Sequence, residues 1–564
     1  MRVRLPVFLA LAALAAVAAA AAPDTGPFQP YRRPGDERIP LPEPGQPQKP
    51  SFELPPAPAP PPEADRLDPT QERIVVQHFA VEGSTVFSPE QIAALTVPYE
   101  NRPITFEELV RLRNEITLAY VNAGYQNSGA VIPQQKMEDG VLRMQVVEGR
   151  LSRIDIQGTR WFREAYFRER LEASASEPLN VNSVQQRLQL FQQDPRIRQV
   201  HAELHPGERP GDAVLEARFE EEVPYRARLE ANNYESPSIG SNQVQLGLGH
   251  DNPLGFGDRL STQVSFTEGY QDYFASYEVP VTRWDTTLGA SYEYSSSEVI
   301  EDPFDAINIE SRSQTVALRL RQPLLRDLNT TLDASLSAEW RESKTFLLDE
   351  PFSFTEGPDD GVGRETVIRL GLDWVYRDLA QVVAARSLMS TGIDALDATV
   401  NEGSVPDGQF FVWLGQFQYL RRTPLWDTQV LFRTDVQLST SALLSLEQFA
   451  VGGHGTVRGY RENYLVRDNG LVSSLELRIP LLADAAGRSF LQLAPFADIG
   501  RSWNTNRGEV WPKTLYSAGV GLRWQITQHL EGQVYWADAL KDVPAPDDHD
   551  LQDSGVQFRL VASY

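Results

Sequence analysis

The spacing of hydrophobic positions changes character near residue 224 of the chain. Before it, short alternating segments enclose two stretches, 105–125 and 182–193, in which apolar residues recur every three or four positions. This is the period of an amphipathic helix. After residue 224, alternation with a period of two recurs in segments of about ten residues, which is typical of strands with two different faces. The pattern predicts α+β units followed by a long series of β-strands.

The first part contains an internal repeat with an offset of 75 residues. The motif Val81-x-Gly83-x-x-x-Phe87 matches Ile156-x-Gly158-x-x-x-Phe162. Each copy opens with a short strand, continues through helical segments, and closes with two strands joined by a turn signal. The repeat predicts two β-α-α-β-β domains, at 71–149 and 150–223. The apolar face of the longest helix is predicted to comprise Phe106, Leu109, Leu112 and Ile116.

The second part, 224–564, predicts a closed antiparallel barrel in a membrane. Ten-residue alternating strands are the length that crosses an outer membrane, and a closed meander needs an even number of them. A soluble β-sandwich is the alternative, but sixteen strands behind a secretory leader favour the barrel. The predicted strands begin near residues 225, 242, 259, 271, 285, 312, 327, 365, 382, 409, 426, 470, 490, 515, 528 and 554.

Charged positions indicate which face of each strand meets lipid. An arginine or lysine that faces lipid costs about 2–4 kcal/mol at the bilayer midplane, so charges are expected to face the lumen. In 471–479, Glu476 and Arg478 therefore face inward, and Leu475, Leu477 and Ile479 face lipid. In the last strand, Gln557, Arg559 and Ser563 are predicted to face the lumen. The lipid face of that strand is predicted to comprise Val556, Phe558, Leu560, Ala562 and Tyr564.

Two segments precede the folded domains. Residues 1–22 carry two arginines, an apolar run and a small-residue end, the composition of a cleavable secretory signal peptide. Residues 23–65 contain fifteen prolines in forty-three positions. Because proline blocks helix interiors and lacks a backbone donor, 23–70 is predicted to be an extended periplasmic linker.

Composition excludes several classes of function. The net charge is −25, which argues against nucleic acid as a partner, since a phosphate-binding surface is basic. The chain has no cysteine, and it lacks the common hydrolase, metalloprotease and nucleotide-binding motifs. No catalytic residue, metal site or cofactor is therefore predicted, and the chain is not expected to be an enzyme. Acidic clusters such as 300–310 and 544–550 are interpreted as solvated loops.

A glycine-rich stretch, GGHGTVRGYRENY, stands between two predicted barrel strands. The connection, about 439–469, is longer than ordinary loops and is therefore expected to be functional. It lacks the lysine and the strand-to-helix context of a phosphate-binding loop. An arginine inside a lumen needs an acidic partner, and Asp498 on the next strand faces inward together with Phe496 and Gly500. The sequence therefore predicts an ion pair between Arg458 and Asp498.

These residues carry a resemblance to a known family. Val457-Arg458-Gly459-Tyr460 in the loop, with F-x-D-x-G at Phe496, Asp498 and Gly500, resembles the two signature motifs of the POTRA-barrel superfamily. From about residue 73 to the end, the chain is similar to the TpsB transporters of two-partner secretion, the hemolysin secretion/activation type. The final strand, with Phe558 and Tyr564, resembles the signal by which bacterial outer-membrane barrels are recognised for assembly.

The resemblance implies a membrane β-barrel of sixteen antiparallel strands preceded by two small α+β POTRA domains in the periplasm. It also implies an outer-membrane pore that secretes a large TpsA-like exoprotein without hydrolysing nucleotide, with the POTRA domains capturing the unfolded client. The expected partners are this exoprotein, the lipid bilayer and the barrel-assembly machinery. Two alternatives stay open at this point, an assembly factor that inserts other barrels and a passive porin.

One departure from the family concerns the amino-terminal segment. Family members commonly begin with a helix that plugs the pore, but residues 23–65 are too rich in proline to form a stable helix. Either this chain has no plug, or the extended segment itself occupies the pore.

Overall fold

The structure is a computed structural model with two compact units. It describes residues 33, 35, 37–42, 44, 51–53, 73–483, 489–508, 511–527, 529–544 and 549–564, so the predicted signal peptide lies outside the described residues. One unit is formed by Pro47–Val223 and the other by Met1–Gln46 together with Pro224–Tyr564. In the described part of the chain, no helix combines the length and the apolar character needed to cross a membrane.

The unit Pro47–Val223 contains the two repeated domains. Their elements are β1 (Ser51–Glu53), β2 (Ile74–Val76), β3 (His78–Glu82), α1 (Pro89–Thr96), β4 (Arg102–Ile104), α2 (Phe106–Asn122), β5 (Gly129–Val131), β6 (Val141–Val147), β7 (Arg150–Gln157), α3 (Glu164–Ser174), α4 (Val181–Gln192), β8 (Ile197–Pro206) and β9 (Asp212–Glu221).

The first domain packs α1 and α2 on a sheet of order β3-β6-β5. Capping boxes at Ser88 and Thr105 begin the two helices. The predicted apolar face of α2 is right for three of its four members but wrong for Phe106, which is 58% exposed. A step of three residues falls about 60° short of a full helical turn, so Phe106 lies well away from the stripe formed by Leu112 and Ile116.

The second domain has the sheet order β1-β8-β9-β7. Its core is formed by α3, α4 and the inner face of this sheet, with Phe167 and Phe219 stacked at 3.8 Å between ring centroids. The edge strand β1 comes from the proline-rich segment and pairs in parallel with β8, Ser51 opposite His201. A piece of extended chain from outside the domain therefore completes its sheet.

In each domain a carboxylate at the end of a strand accepts hydrogen bonds from the backbone of a turn. The turn follows β3 in the first domain and β7 in the second. In the first domain Glu148 accepts hydrogen bonds from the amides of Thr85 and Val86, at 2.6 and 3.1 Å, and from the hydroxyl of Tyr120 at 2.9 Å. In the second, Glu221 accepts the amide of Trp161 at 2.6 Å. Burial raises the pKa of Tyr120 to about 12. Burial also works against ionisation of Glu148, but its hydrogen bonds, chiefly from Thr85, leave its pKa below the usual value.

We expect Glu148→Gln to loosen this turn at neutral pH, because a hydrogen bond to a charged acceptor contributes about 1.5–3 kcal/mol. Hydrogen exchange of the Thr85 and Val86 amides in the full chain should become at least about tenfold faster. A lowered pKa stabilises the fold above the unfolded value, about 4.3, and this contribution is lost as the pH falls through the folded value. The difference between wild type and variant should therefore shrink in acid. Glu138→Gln, at an exposed glutamate of the same domain, is the control, and equal exchange in both variants would contradict the role of Glu148.

The second unit is a closed barrel, and its sixteen strands confirm the predicted fold class. Each strand begins within three residues of its predicted start. The lengths run from eight to eighteen residues, so several strands exceed the predicted ten. The strands are β10 (Tyr225–Asn232), β11 (Gln243–His250), β12 (Arg259–Phe266), β13 (Tyr270–Pro280), β14 (Thr287–Glu298), β15 (Ile309–Arg326), β16 (Thr330–Leu347), β18 (Val362–Arg377), β19 (Gln381–Ile393), β20 (Phe411–Arg422), β21 (Gln429–Ser439), β24 (Asn469–Ala483), β25 (Ser489–Trp503), β26 (Thr514–Thr527), β27 (Leu530–Ala539) and β28 (Val556–Ser563).

Three shorter strands lie in the connections. β17 (Glu350–Pro351) pairs antiparallel with the end of β16, and β22 (Phe449–Val451) pairs with β23 (Leu465–Arg467). The barrel closes where β10 pairs antiparallel with β28, Arg228 opposite Ser563. Tyr564 continues this closure, because its amide donates to the carbonyl of Ala227 at 2.8 Å. Phe558 lies on the same strand, opposite Val534 of β27.

The predicted facing of the strands agrees with the exposure of their side chains. Leu475 and Ile499 are exposed on the outer face, whereas Glu476 and Asp498 are buried in the lumen. In β28, Gln557 is buried and Arg559 pairs with Glu230 across the lumen side of the closing seam. The barrel thus has an apolar outer surface and a charged interior, and a loop and an amino-terminal segment lie within it.

Candidate functional site

The connection between β21 and β24 folds back into the barrel. Its middle forms the hairpin β22–β23, and the glycine-rich stretch from Gly452 to Tyr464 is the tip of that hairpin. Gly452 and Gly453 adopt φ values of +116° and +99°, in the region that favours glycine, and allow the sharp turn at the start of the tip. The tip carries Arg458 toward the inner wall formed by β24 and β25.

Arg458 is held by two acidic side chains. Its Nε and Nη2 donate to the two carboxylate oxygens of Asp498 at 2.8 and 2.9 Å, and its backbone amide donates to the same carboxylate at 3.1 Å. Nη1 donates to Glu476 at 2.7 Å, and Nη2 also meets Ser474 at 3.2 Å. The guanidinium is thus engaged in the forked geometry that arginine offers to carboxylates.

An aromatic ring and a glycine complete the wall beneath the loop. The guanidinium of Arg458 lies 3.4 Å from the ring centroid of Phe496, a cation–π contact on a buried aromatic face. A Cβ atom at Gly500 would approach Val457 Cγ2 to 2.7 Å, so only glycine leaves room for the loop at that position. Three successive inward residues of β25 therefore have different roles. Phe496 supplies an aromatic ring, Asp498 a carboxylate, and Gly500 the space into which the loop packs.

Gly459 and Tyr460, which follow Arg458, contact strands β27 and β26 of the barrel wall. Gly459 has φ +89°, and a Cβ there would lie 3.0 Å from Ala537 of β27. The Tyr460 hydroxyl donates to the carbonyl of Tyr516 at 3.0 Å, and Tyr460 itself is almost fully buried. The structure therefore brings all seven residues of the two motifs into one cluster.

Glu476 is a member of the cluster that the sequence analysis placed on the lumen face without assigning it a partner. Its spacing on β24 shows that it faces inward, but not that a loop eighteen residues away reaches it. Both carboxylates are needed because Arg458 presents more donors than one carboxylate accepts.

A second ion-pair cluster, which sequence reasoning missed, anchors the stem of the loop. Glu447 is fully buried and accepts hydrogen bonds from Arg369 at 2.6 and 3.0 Å and from Arg341 at 2.5 Å. Arg369 also donates to Glu339 at 3.0 Å. Strand alternation places Arg341 and Arg369 on the lumen face, but no sequence signal joins Glu447 to either strand.

The proline-rich segment enters the barrel lumen at its described residues between 33 and 44, which is one of the two alternatives left open for residues 23–65. We call its described residues between 33 and 44 the lumen segment. Arg38 Nε donates to Asp435 at 2.8 Å and Nη2 donates to the carbonyl of Gly455 at 2.8 Å. Arg33 donates to Asn463 at 2.9 Å. The lumen segment has no helix, and it enters the barrel because the wall and the loop offer polar partners that proline-rich chain cannot supply to itself.

Two of the cavities that the described residues line lie beside the lumen segment. One, about 240 Å³ in volume, lies beside Arg458 and is also lined by Arg433, Arg478 and Arg523. The other, about 840 Å³, is a larger chamber in which arginines outnumber acidic residues. Within the described residues no group of three or more potential metal ligands is present. The interior is therefore a basic aqueous chamber whose passage is occupied by two pieces of chain.

Comparison with known proteins gives the same picture. A family model for haemolysin secretion/activation proteins of the ShlB/FhaC/HecB type matches residues 211–524, more than half of the chain. The chain belongs to this family. A model for the ShlB-type POTRA domain matches residues 74–149. The protein is thus a TpsB transporter of the outer membrane with its POTRA domains in the periplasm, as the sequence motifs indicated.

Relatives extend the comparison over nearly the whole transporter. The outer membrane transporter CdiB of Dickeya dadantii (strain 3937) is 25% identical over 474 residues, 80% of each chain. The structure of CdiB from Escherichia coli matches with a TM-score of 0.66 at 21% identity, covering 89% of this chain and 92% of that one. CdiB from Acinetobacter baumannii matches with a TM-score of 0.61 at 17% identity, covering 99% and 96%. The transporter is a secretion pore, and its family is not a family of enzymes.

Proposed function

We propose that this transporter secretes a large TpsA-like exoprotein as an unfolded chain, without hydrolysing nucleotide. The POTRA domains capture the client in the periplasm, and the client passes through the barrel lumen beside the loop. The observation that carries the proposal is the buried cluster around Arg458, which docks a long loop on the inner wall of the barrel. Folding of the client outside the cell supplies the free energy.

Capture by the POTRA domains is supported by the edge of the second domain. Strand β8 already accepts three residues of extended chain, Ser51–Glu53, by parallel strand pairing. Backbone pairing at a sheet edge gives affinity with little demand on side chains, which suits an unfolded client of any sequence. A client strand at β8 would replace β1, whose residues lie a short distance along the chain from the lumen segment.

The resting pore is proposed to be closed jointly by the loop and the lumen segment. Arg38 joins the two, because it contacts both the wall at Asp435 and the loop at Gly455. Passage of a client requires at least the lumen segment to leave. In this transporter an extended segment would thus block the resting pore, in place of the plug helix with which family members commonly begin.

Partners in biogenesis form the remaining part of the proposal. The barrel-assembly machinery is proposed to recognise the final strand through Phe558 and Tyr564, and the bilayer to receive the apolar outer face. Tyr564 is also the last residue of the seam with β10, so recognition of this strand and closure of the barrel use the same end of the chain.

The proposed function is tested with purified transporter in liposomes and a urea-unfolded exoprotein that carries an amino-terminal secretion domain. We expect the exoprotein to become protected inside a vesicle compartment in the absence of any nucleotide. Vesicles with a porin of sixteen strands are the control. Translocation that requires nucleotide would contradict the proposed energy source. Insertion of other barrels by the transporter, without translocation of the exoprotein, would favour the assembly-factor alternative.

A further inference from the structure

The lumen segment is held on the barrel wall partly through its backbone carbonyls. Gln416 donates to the carbonyl of Gly35 at 3.3 Å, Arg386 donates to the carbonyl of Glu37 at 3.2 Å, and Gln418 donates to the carbonyl of Ile39 at 2.7 Å. These carbonyls belong to every second residue, and in an extended chain alternate carbonyls point to the same side. The wall therefore contacts the one feature that every extended polypeptide shares.

The donors form a compact surface on three neighbouring strands. Arg386 of β19 lies directly opposite Gln416 of β20, and Gln416 lies opposite Asp435 of β21. Gln418 is the next inward residue on β20. We call Arg386, Gln416, Gln418 and Asp435 the wall track. With the lumen segment against them, its two glutamines and Asp435 are almost fully buried.

Side chains of the lumen segment add a charge pattern to this contact. The carboxylate of Glu37 lies 3.4 Å from Arg386 and 3.8 Å from Arg319, and Arg38 pairs with Asp435. The wall track thus binds an acidic side chain at Arg386 and a basic side chain at Asp435. Arginines also dominate the chamber around it, so a passing chain with acidic residues is attracted along the same wall.

Two buried oxygen atoms of the wall track, Gln416 Oε1 and Asp435 Oδ1, accept no hydrogen bond from any described residue. Because an amide side chain both donates and accepts, Gln416 can contact the carbonyl and the N–H of a chain that lies against it.

We propose that the wall track is a binding site for extended polypeptide that the client occupies during secretion, after the lumen segment has left it. The lumen segment is then an internal substitute for the client, and the two compete for the same donors. This inference rests on the proposed function, since it requires that a client chain cross the lumen. The part of its affinity that comes from backbone contacts is compatible with a client whose sequence changes as it moves.

The test uses a photo-crosslinking amino acid at Gln418 in the full-length transporter, with a client stalled in transit by a disulfide-closed carboxy-terminal domain. Without client, Gln418 should crosslink to the amino-terminal segment of its own chain. With stalled client, that product should fall and a client crosslink should appear, at least about fivefold above the yield from the same amino acid at Ser335, which lines the same chamber from β16, three strands away around the barrel.

A second measurement separates binding from folding of the barrel. In Gln416→Ala with Gln418→Ala, the heat-modifiable folded barrel should persist and the rate of client secretion should fall at least about fivefold. Equal client crosslinks from positions 418 and 335, or an unchanged secretion rate in the double variant, would overturn the wall track while leaving the pore function intact. Absence of client secretion by the wild-type transporter would instead count against the proposed function.

Discussion

Asp498→Ala is expected to reduce secretion of the client at least about tenfold while the barrel still assembles. The substitution leaves the Arg458 guanidinium buried with only Glu476 and Ser474 as polar partners. Removing one member of a buried charge pair costs about 3–5 kcal/mol, and the loop can avoid this cost by leaving the wall. The measurement is the amount of exoprotein in the medium, with heat-modifiability on gels as the check that the barrel is folded.

Arg458→Ala should have a comparable effect on secretion, because it removes the other side of the same contact. Asp333→Ala is the matched control. Asp333 forms an ion pair with Arg321 at 2.5 Å between two strands of the lumen wall, but its pair does not involve the loop. Normal secretion in both Arg458→Ala and Asp498→Ala would show that docking of the loop through this pair is not needed for transport.

Glu447→Ala is expected to lower the stability of the folded barrel more than any other single substitution in the loop. It leaves Arg341 and Arg369, each only 2% exposed, without their shared carboxylate. Two buried guanidinium groups then depend on Glu339, to which Arg369 donates, and on Glu365, which lies near both but makes no hydrogen bond with a described residue, so a loss of about 3–5 kcal/mol in the free energy of unfolding is expected. The measurement is the temperature at which the folded electrophoretic form disappears.

The control for Glu447 is Glu310→Ala, which breaks a pair with Arg312 at the outer end of a strand. Arg312 is largely exposed, and exposed ion pairs contribute only about 0–1 kcal/mol. The stem cluster also predicts that Glu447→Ala increases the ionic conductance of the resting pore in planar bilayers, because the loop loses its hold on the wall formed by β16 and β18. A melting temperature equal to that of Glu310→Ala would mean that the loop stem contributes nothing to barrel stability.

The amino-acid sequence alone was sufficient to predict the two α+β domains and the barrel, because apolar residues recur with the period of a helix or of a strand. Alternation with a period of two determines which side chains of each strand face the lumen, since a shift of one residue would bring Glu476 or Arg559 into lipid. The repeat of Gly83 and Gly158 marked the two α+β domains in the same way. Phe106 shows the limit of this reasoning, because a residue at the end of a helical stripe can fall outside it.

Tertiary structure decided which side chains meet inside the lumen. Arg458 and Asp498 could be paired from their motifs and facing, but Glu447 lies 106 positions from Arg341 and carries no local pattern that joins them. The location of the lumen segment could not be predicted either. Proline content excludes a helix from residues 23–65, yet it says nothing about where an extended chain finds its partners.

What the sequence by itself determined is therefore the set of strands, their inward and outward faces, and the motif residues of the loop. What only the tertiary structure decided is the content of the barrel: the second carboxylate on Arg458, the stem cluster at Glu447, and an extended segment on the wall track at Gln416 and Gln418. The physical reason is that facing is a local property of alternation, whereas the contacts of a loop and a proline-rich segment form between residues that only the closed barrel brings together.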